Sequence, residues 1–217
     1  MYLTKTPHVI QNLLPGLVWH IPVQEKQIYL TFDDGPVPEV TPWVLDQLAA
    51  FNAKATFFCV GDNVSKHPKI HDRLIDEGHK VGSHTYNHLS GWGTENISYF
   101  HNVRRGAQLI KSGLFRPPYG RLKPSQIPFL SRHYNIIMWD VLSGDFDPKI
   151  SDQQCLENVL HNTVSGSIIV FHDSIKAQAK LHYVLPRVLK HFAEAGFSFH
   201  AISEDLIEEK KAIRKSA

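Results

Sequence analysis

The chain has 217 residues, enough to bury a sizeable core within one domain spanning 1–217. With 42% hydrophobic and 20% charged residues, and Gly and Pro spread along its length, the composition excludes a disordered, fibrous or low-complexity protein. Its 23 basic and 21 acidic residues leave a formal charge of +2, too small and too dispersed for a nucleic-acid footprint, so no nucleic-acid partner is expected.

Taken in chain order, residues 1–22 are apolar in places, but Gln11, Asn12 and Pro15 break them up before a secretory h-region can form. No run is long enough to cross a bilayer, so no transmembrane segment is expected. A cytoplasmic location is the default expectation, with an extracytoplasmic one if a leader has been removed. The first strong strand is predicted over 28–33, stopped by Gly35 and Pro36. A helix follows over 40–51, with Thr41 and Pro42 as cap and first-turn residues, then a buried strand over 54–60. That strand carries Cys59, read as a small buried hydrophobe; with Cys155 the only other cysteine, no disulfide framework is expected.

A helix over 69–77 ends at Gly78, and a short strand over 81–83 leads into His84. The remainder alternates helix 95–112, strand 114–116, helix 124–133, strand 135–139, helix 151–162, strand 167–172, helix 181–195 and strand 198–201. The charged tail 204–215 reads as a solvated terminal helix, acids first and bases last. About seven strands alternating with helices predict an α/β fold, a closed or nearly closed β/α barrel.

Residues able to do chemistry fall just past the strand ends: Asp33 and Asp34, His84 and His88, Arg116 and Tyr119, Asp140 and Asp145, His172 and Asp173. In α/β barrels that rim is where active sites assemble, so five segments are expected to meet there. Each piece also has a plain structural reading. Asp33-Asp34-Gly35 is good turn chemistry, and a lone histidine after a strand is more often a hydrogen-bonder than a catalyst. Arg116-Pro-Pro-Tyr119-Gly120 suits a rigid turn, and Asp145 suits a loop boundary. Histidines four apart can chelate one ion, yet a chain with 14 histidines holds about one such pair by chance. His67 and His71 form a second pair, read as solvated and not ligating.

The order of the motifs is more specific than any one of them. Thr31-Phe-Asp-Asp-Gly-Pro36, His84-Thr-x-x-His88, Arg116-Pro-Pro-Tyr-Gly120, Trp139-Asp-Val-x-x-x-Asp145 and Ile168-Ile-Val-Phe-His-Asp173 resemble the polysaccharide deacetylase family, the NodB homology domain of carbohydrate esterase family 4. The resemblance covers residues 28–203. It implies a distorted, TIM-barrel-related (β/α) barrel of about seven strands and removal of an N-acetyl, less often an O-acetyl, group from a sugar or glycan such as a chitooligosaccharide or peptidoglycan. It assigns Asp33 as catalytic base, Asp34, His84 and His88 as metal ligands, and Arg116 as the tether of the base. Tyr119 becomes the backbone oxyanion donor, His172 the catalytic acid and Asp145 its charge partner. The implied cofactor is a divalent cation, zinc first, with cobalt, nickel or iron accepted by the same ligands.

Two positions depart from the family pattern: Phe146 where tryptophan is usual and Val170 where leucine is usual. Three rival readings stay open: an iron oxygenase with a facial triad, a silent sugar-binding module, and a hydrolase of a C–N bond outside sugars. The first is disfavoured by the helix–strand alternation and the second by the presence of Asp33 and His172. With no carbohydrate-binding repeat in the sequence, a smaller glycoconjugate is expected ahead of a cell-wall polymer. Oligomeric state is not legible in the sequence.

Overall fold

A computed structural model describes residues 2–209. Eight strands, β1 (Gln27–Asp33), β2 (Thr56–Cys59), β3 (Lys80–Ser83), β4 (Leu114–Phe115), β5 (Asn135–Ile136), β6 (Val141–Leu142), β7 (Ile168–His172) and β8 (Ser198–Phe199), form one sheet. The order is β5-β4-β3-β2-β1-β7-β6, with β8 added on β1, and every pairing is parallel. Helices α1 (His8–Leu13), α2 (Thr41–Ala50), α3 (Gly61–Lys66), α4 (Pro68–Asp76), α5 (Asn96–Ile110), α6 (Ile127–Leu130), α7 (Asp152–Leu160) and α8 (Gln178–Glu194) lie between them.

The strand expected over 135–139 is shortened to β5, and β6 is an additional strand just beyond it. Strand β5 pairs with β4, and the chain then crosses to pair at Val141 and Leu142 with β7, at the other end of the strand order. The two edges of the sheet are therefore joined through one short run, and the sheet curls into a distorted barrel. The amino-terminal segment fills the seam: Val18 bridges Ile137, and Lys5 bridges Val141. Such pairing leaves no pattern in the segment itself, which is why neither it nor α1 was foreseen.

Alternation along the strands sorts core from site. Ile28, Leu30 and Phe32 of β1 pack outward with Phe57, Ile169 and Phe171 against the leucines and valines of α2 and α8. Tyr29, Thr31 and Asp33 therefore point into the curl, as do Phe58 on β2 and Ile168 and His172 on β7. Because all strands run the same way, their carboxyl ends, and the loops after them, gather at one rim.

Several expectations are corrected. Thr41 does not cap α2: its hydroxyl accepts from the Val37 N–H (2.7 Å) and donates to Asp173 Oδ2 (2.6 Å). Helix α6 is only Ile127–Leu130, and the Gln126 side chain before it turns inward to brace the loop at Gly91. His71 is buried, not solvated. The tail expected over 204–215 buries Ile207 beneath the barrel, and its part from 210 onward lies outside the described residues. Both cysteines are buried and unpaired, and no described helix is long and apolar enough to cross a membrane.

Candidate active site

Asp33 ends β1 facing inward, with its Cα in register with His172 on one side and Phe58 on the other. Arg116, just past β4 and wholly buried, lies with its guanidinium 4.1 Å from the centre of the Phe58 ring. It donates from Nη1 to Asp33 Oδ1 (2.7 Å) and Thr31 Oγ1 (2.7 Å), from Nε to Ile137 O (3.1 Å) and from Nη2 to Met138 O (2.9 Å). Burial alone would raise the Asp33 pKa, but Arg116, with smaller help from His84 and His172, more than offsets it and holds the carboxyl below its usual range. Asp33 is thus an ionised carboxylate with one oxygen committed to Arg116.

Asp34 follows in the left-handed region, φ 85°, which swings its carboxylate to the same side as that of Asp33. The turn is locked from below. Asp173 accepts from the Gly35 N–H (3.0 Å) while its own N–H donates to Asp33 O (3.1 Å), and Asn63 Nδ2 donates to Asp34 O (2.7 Å). Gly35 is required here, since a Cβ would overlap the Asp173 carboxylate. Burial pushes the Asp173 carboxyl up to about 8.

His84 and His88 approach from the loop after β3, where Thr85 and His88 also adopt positive φ (67° and 59°). Side chains forced into such backbone cost free energy and cluster at functional sites. The His84 Nδ1–H donates to Arg116 O (2.8 Å), which turns the Nε2 lone pair toward Asp34 Oδ1, 3.8 Å away. Burial lowers the His84 pKa to about 4, so the ring is a neutral ligand. His88 Nε2 lies 3.2 Å from the same Asp34 oxygen.

Asp34 Oδ1 is buried and has no hydrogen-bond partner among the described residues. Ligand atoms of Asp34, His84 and His88 all lie within 4.8 Å of one another, and no other such group is found among the described residues. An orphaned carboxylate oxygen facing two imidazole nitrogens is the donor set of a divalent cation that keeps open positions. The residues fit such an ion. The His67 and His71 pair gathers no third ligand among the described residues.

His172 ends β7 opposite Asp33. Its Nδ1–H donates to Asp145 Oδ1 (2.8 Å) and its backbone N–H to Asp145 Oδ2 (2.7 Å), so one buried carboxylate fixes both ring and backbone. Burial would lower the His172 pKa, but the charge and hydrogen bond of Asp145, helped by Asp34 and Asp33, raise it to about 9. The imidazolium is held charged at neutral pH, with Nε2–H open to the site. Phe146 packs edge-on to it (5.1 Å between ring centres) and is itself backed by Tyr2 at 5.2 Å. Tyr119, at φ 62°, stands at the rim with its ring edge-on to His88 (4.7 Å).

One residue expected at the rim is elsewhere. Asp140 sits at the start of β7, accepting from Lys5, His20, Ser167 and the Ile168 N–H, and so staples the amino-terminal segment to the barrel. Conversely Thr31 and Asn63 are site residues that the strand-end reading does not single out, while Asp173, which it does, locks the turn and takes no catalytic role. Thr31 is findable, because it shares the inward face of β1 with Asp33; Asn63 acts through a backbone carbonyl, which leaves no sequence pattern.

A parallel α/β barrel whose rim joins an arginine-held carboxylate, a carboxylate-held imidazolium and an Asp/His/His cluster defines a hydrolase equipped for acid–base chemistry. The sequence profile of the polysaccharide deacetylase family matches residues 20–133, and the chain belongs to that family. It is 30% identical to a peptidoglycan-N-acetylglucosamine deacetylase of Bacillus cereus over 87% of this chain and 92% of that one. With the peptidoglycan-N-acetylglucosamine deacetylase PgdA of Listeria monocytogenes it shares 35% identity over 88% of its length, spanning 41% of that longer protein. Among solved structures, the Bc1960 peptidoglycan N-acetylglucosamine deacetylase in complex with 4-naphthalen-1-yl-N-oxidanyl-benzamide superposes with a TM-score of 0.83 at 28% identity, covering 91% of this chain and 95% of that one.

Proposed function

We propose that the chain hydrolyses the N-acetyl group of a glycan sugar, with Asp33 as base, His172 as acid and a divalent cation, zinc by preference, on Asp34, His84 and His88. The observation that carries this reading is the split between two neighbouring titratable groups. Asp33 is pushed down by Arg116 and His172 is pushed up by Asp145, so one is ready to take a proton and the other to give one at the same pH.

The cation, when bound, supplies Lewis acidity toward the acetyl carbonyl and lowers the pKa of water. The chain's residues do the rest. Asp33 Oδ2, the oxygen that Arg116 leaves open, takes the proton of the attacking water as its oxygen bonds to the acetyl carbon. Arg116 keeps that carboxylate in one orientation through one bond to it and three to Thr31, Ile137 and Met138. The Tyr119 N–H is assigned to the oxyanion that develops on the carbonyl oxygen. His172 Nε2–H then protonates the leaving nitrogen as the C–N bond breaks, giving acetate and a free amino sugar, while Asp145 stabilises the ring in both states.

The names of the relatives move the expected substrate from a small glycoconjugate toward peptidoglycan-type polymer, with chitooligosaccharides as the simpler test ligand. The test is acetate release from peptidoglycan fragments and chitooligosaccharides by metal-stripped protein, before and after addition of Zn²⁺ or Co²⁺. Cation-dependent acetate that Asp33→Asn lowers by about 10² to 10⁴-fold is expected. Acetate release that ignores either the cation or that substitution overturns the assignment.

A further inference from the structure

The net charge of the chain conceals an asymmetry. Residues 89–139, which build α5, β4, α6 and β5, carry seven Lys and Arg against Glu95 alone, so the rest of the chain is net acidic. Arg116 is spent inside on Asp33, and Glu95 is occupied capping α5 through the Ile97 and Ser98 N–H groups. The remaining cations belong to the quarter of the chain that runs from α5 to β5 and carries Tyr119.

A cavity of about 570 Å³ opens in that quarter between α5 and α6. Its size falls within the range of small-ligand sites, about 300–1,000 Å³. Phe100 and Phe129 stack in it at 4.2 Å, Tyr134 lines the far side, and Phe129 stays 44% exposed. His101, Arg104 and His133 complete the lining, with no carboxylate among it. Arg104 is exposed and forms no ion pair with any described residue, whereas Arg105 beside it lies over the Tyr86 ring at 3.5 Å.

We propose that this cavity is a second, non-catalytic sugar site for a carboxylate-bearing glycan unit, and the proposal rests on the glycan reading of the catalytic site. A pyranose ring has an apolar C–H face and a polar edge. Exposed Phe129, backed by Phe100, offers a flat apolar surface to that face. The unpaired Arg104 guanidinium offers a planar fork to a carboxylate, which an arginine binds through two parallel bonds. A neutral sugar would leave that cation without a partner, and a simple aliphatic chain would not need it. Helix α5, which supplies Ile97, Phe100, His101 and Arg104 to the cavity, begins just after the loop that carries His88.

The experiment is a titration of isotopically labelled, metal-loaded Asp33→Asn protein with three probes, followed by NMR shifts of residues 97–104 and 129–134. The probes are an N-acetylglucosamine–N-acetylmuramic acid disaccharide, chitotetraose and a free acidic dipeptide. The acidic disaccharide is expected to shift the cavity residues saturably and to bind about tenfold more weakly to an Arg104→Ala form, while chitotetraose leaves them unmoved. In turnover, Arg104→Ala and Phe129→Ala should raise KM for soluble peptidoglycan several-fold with unchanged kcat, and leave chitotetraose kinetics as they were. Equal shifts from chitotetraose overturn the carboxylate, and equal shifts from the dipeptide overturn the sugar. No shift with any probe overturns the site itself. Because binding is read without turnover, cavity shifts in the Asp33→Asn form together with a metal-loaded wild type that releases no acetate would sink the catalytic reading while leaving this site in place.

Discussion

Arg116 is the residue on which the arrangement of the base depends, and its removal gives the sharpest test. Replacing it with Met keeps comparable volume and removes the charge, leaving the buried Asp33 carboxylate without its hydrogen-bonded counter-ion, with only the weaker help of His172, and the Ile137 and Met138 carbonyls without their donor. Breaking one side of a buried ion pair costs about 3–5 kcal/mol, and each orphaned carbonyl adds about 1–3 kcal/mol. We expect Arg116→Met to lose about 5 kcal/mol or more, a large share of the roughly 5–15 kcal/mol that stabilises a native domain, and to melt about 10–20 °C lower. The discriminating form is the double variant Arg116→Met/Asp33→Asn. It still lacks the carbonyl donors but no longer buries a charge, so it should regain about 2 kcal/mol or more relative to Arg116→Met.

The sign with pH follows. In the native protein the Asp33 pKa is depressed, so its contribution is present above the unfolded value near 3.9 and lost as pH falls through the folded one. In Arg116→Met the same carboxyl is raised, so its penalty is present at pH 7 and fades as the pH falls and the group protonates. Urea unfolding of chelator-treated proteins at pH 7 and pH 5, followed by tryptophan fluorescence, measures both effects. If the single and double variants unfold at the same urea concentration at both pH values, Arg116 is not compensating the Asp33 charge and the account of the base is wrong.

Protonated His172 is the proposed acid, so kcat/KM should be retained below about pH 9 and fall above it, and Asp145→Asn should shift that limb to lower pH. A limb that stays in place in Asp145→Asn would remove Asp145 as the cause. Gly35→Ala drives a methyl into the Asp173 carboxylate, so turnover and thermal stability should fall together, and a variant with normal values of both would show that the turn yields more freely than its contacts indicate. Saturating Zn²⁺, at about 100 times its Kd, should stabilise the wild type by about 2.7 kcal/mol, an effect that Asp34→Asn should largely abolish in calorimetry. An equal gain in Asp34→Asn would place the ion elsewhere.

Much of this protein is local and therefore written in the chain. Short β-rich runs separated by helical periods dictate a parallel sheet with helices outside, because each strand needs both faces covered and each helix has one apolar side. The residues bearing chemistry are legible for the same reason: they stand where an inward-facing strand ends, as Asp33, His84, Arg116 and His172 all do. What the sequence could not supply is how distant parts meet. The run over 135–139 reads as one strand, yet only Asn135 and Ile136 pair with β4, and the closing of the barrel puts Val141 and Leu142, beyond that run, beside β7. Asp140 and Asp145 look alike in the sequence, yet one staples the amino-terminal segment and the other charges His172, because one lies at the start of β7 and the other reaches its end. The ionisation of Asp33 and His172 was likewise decided in three dimensions. A pKa reports the charges and the water around a group, and here the decisive partners stand 83 and 27 positions away in the chain, brought within hydrogen-bonding distance only by the tertiary fold.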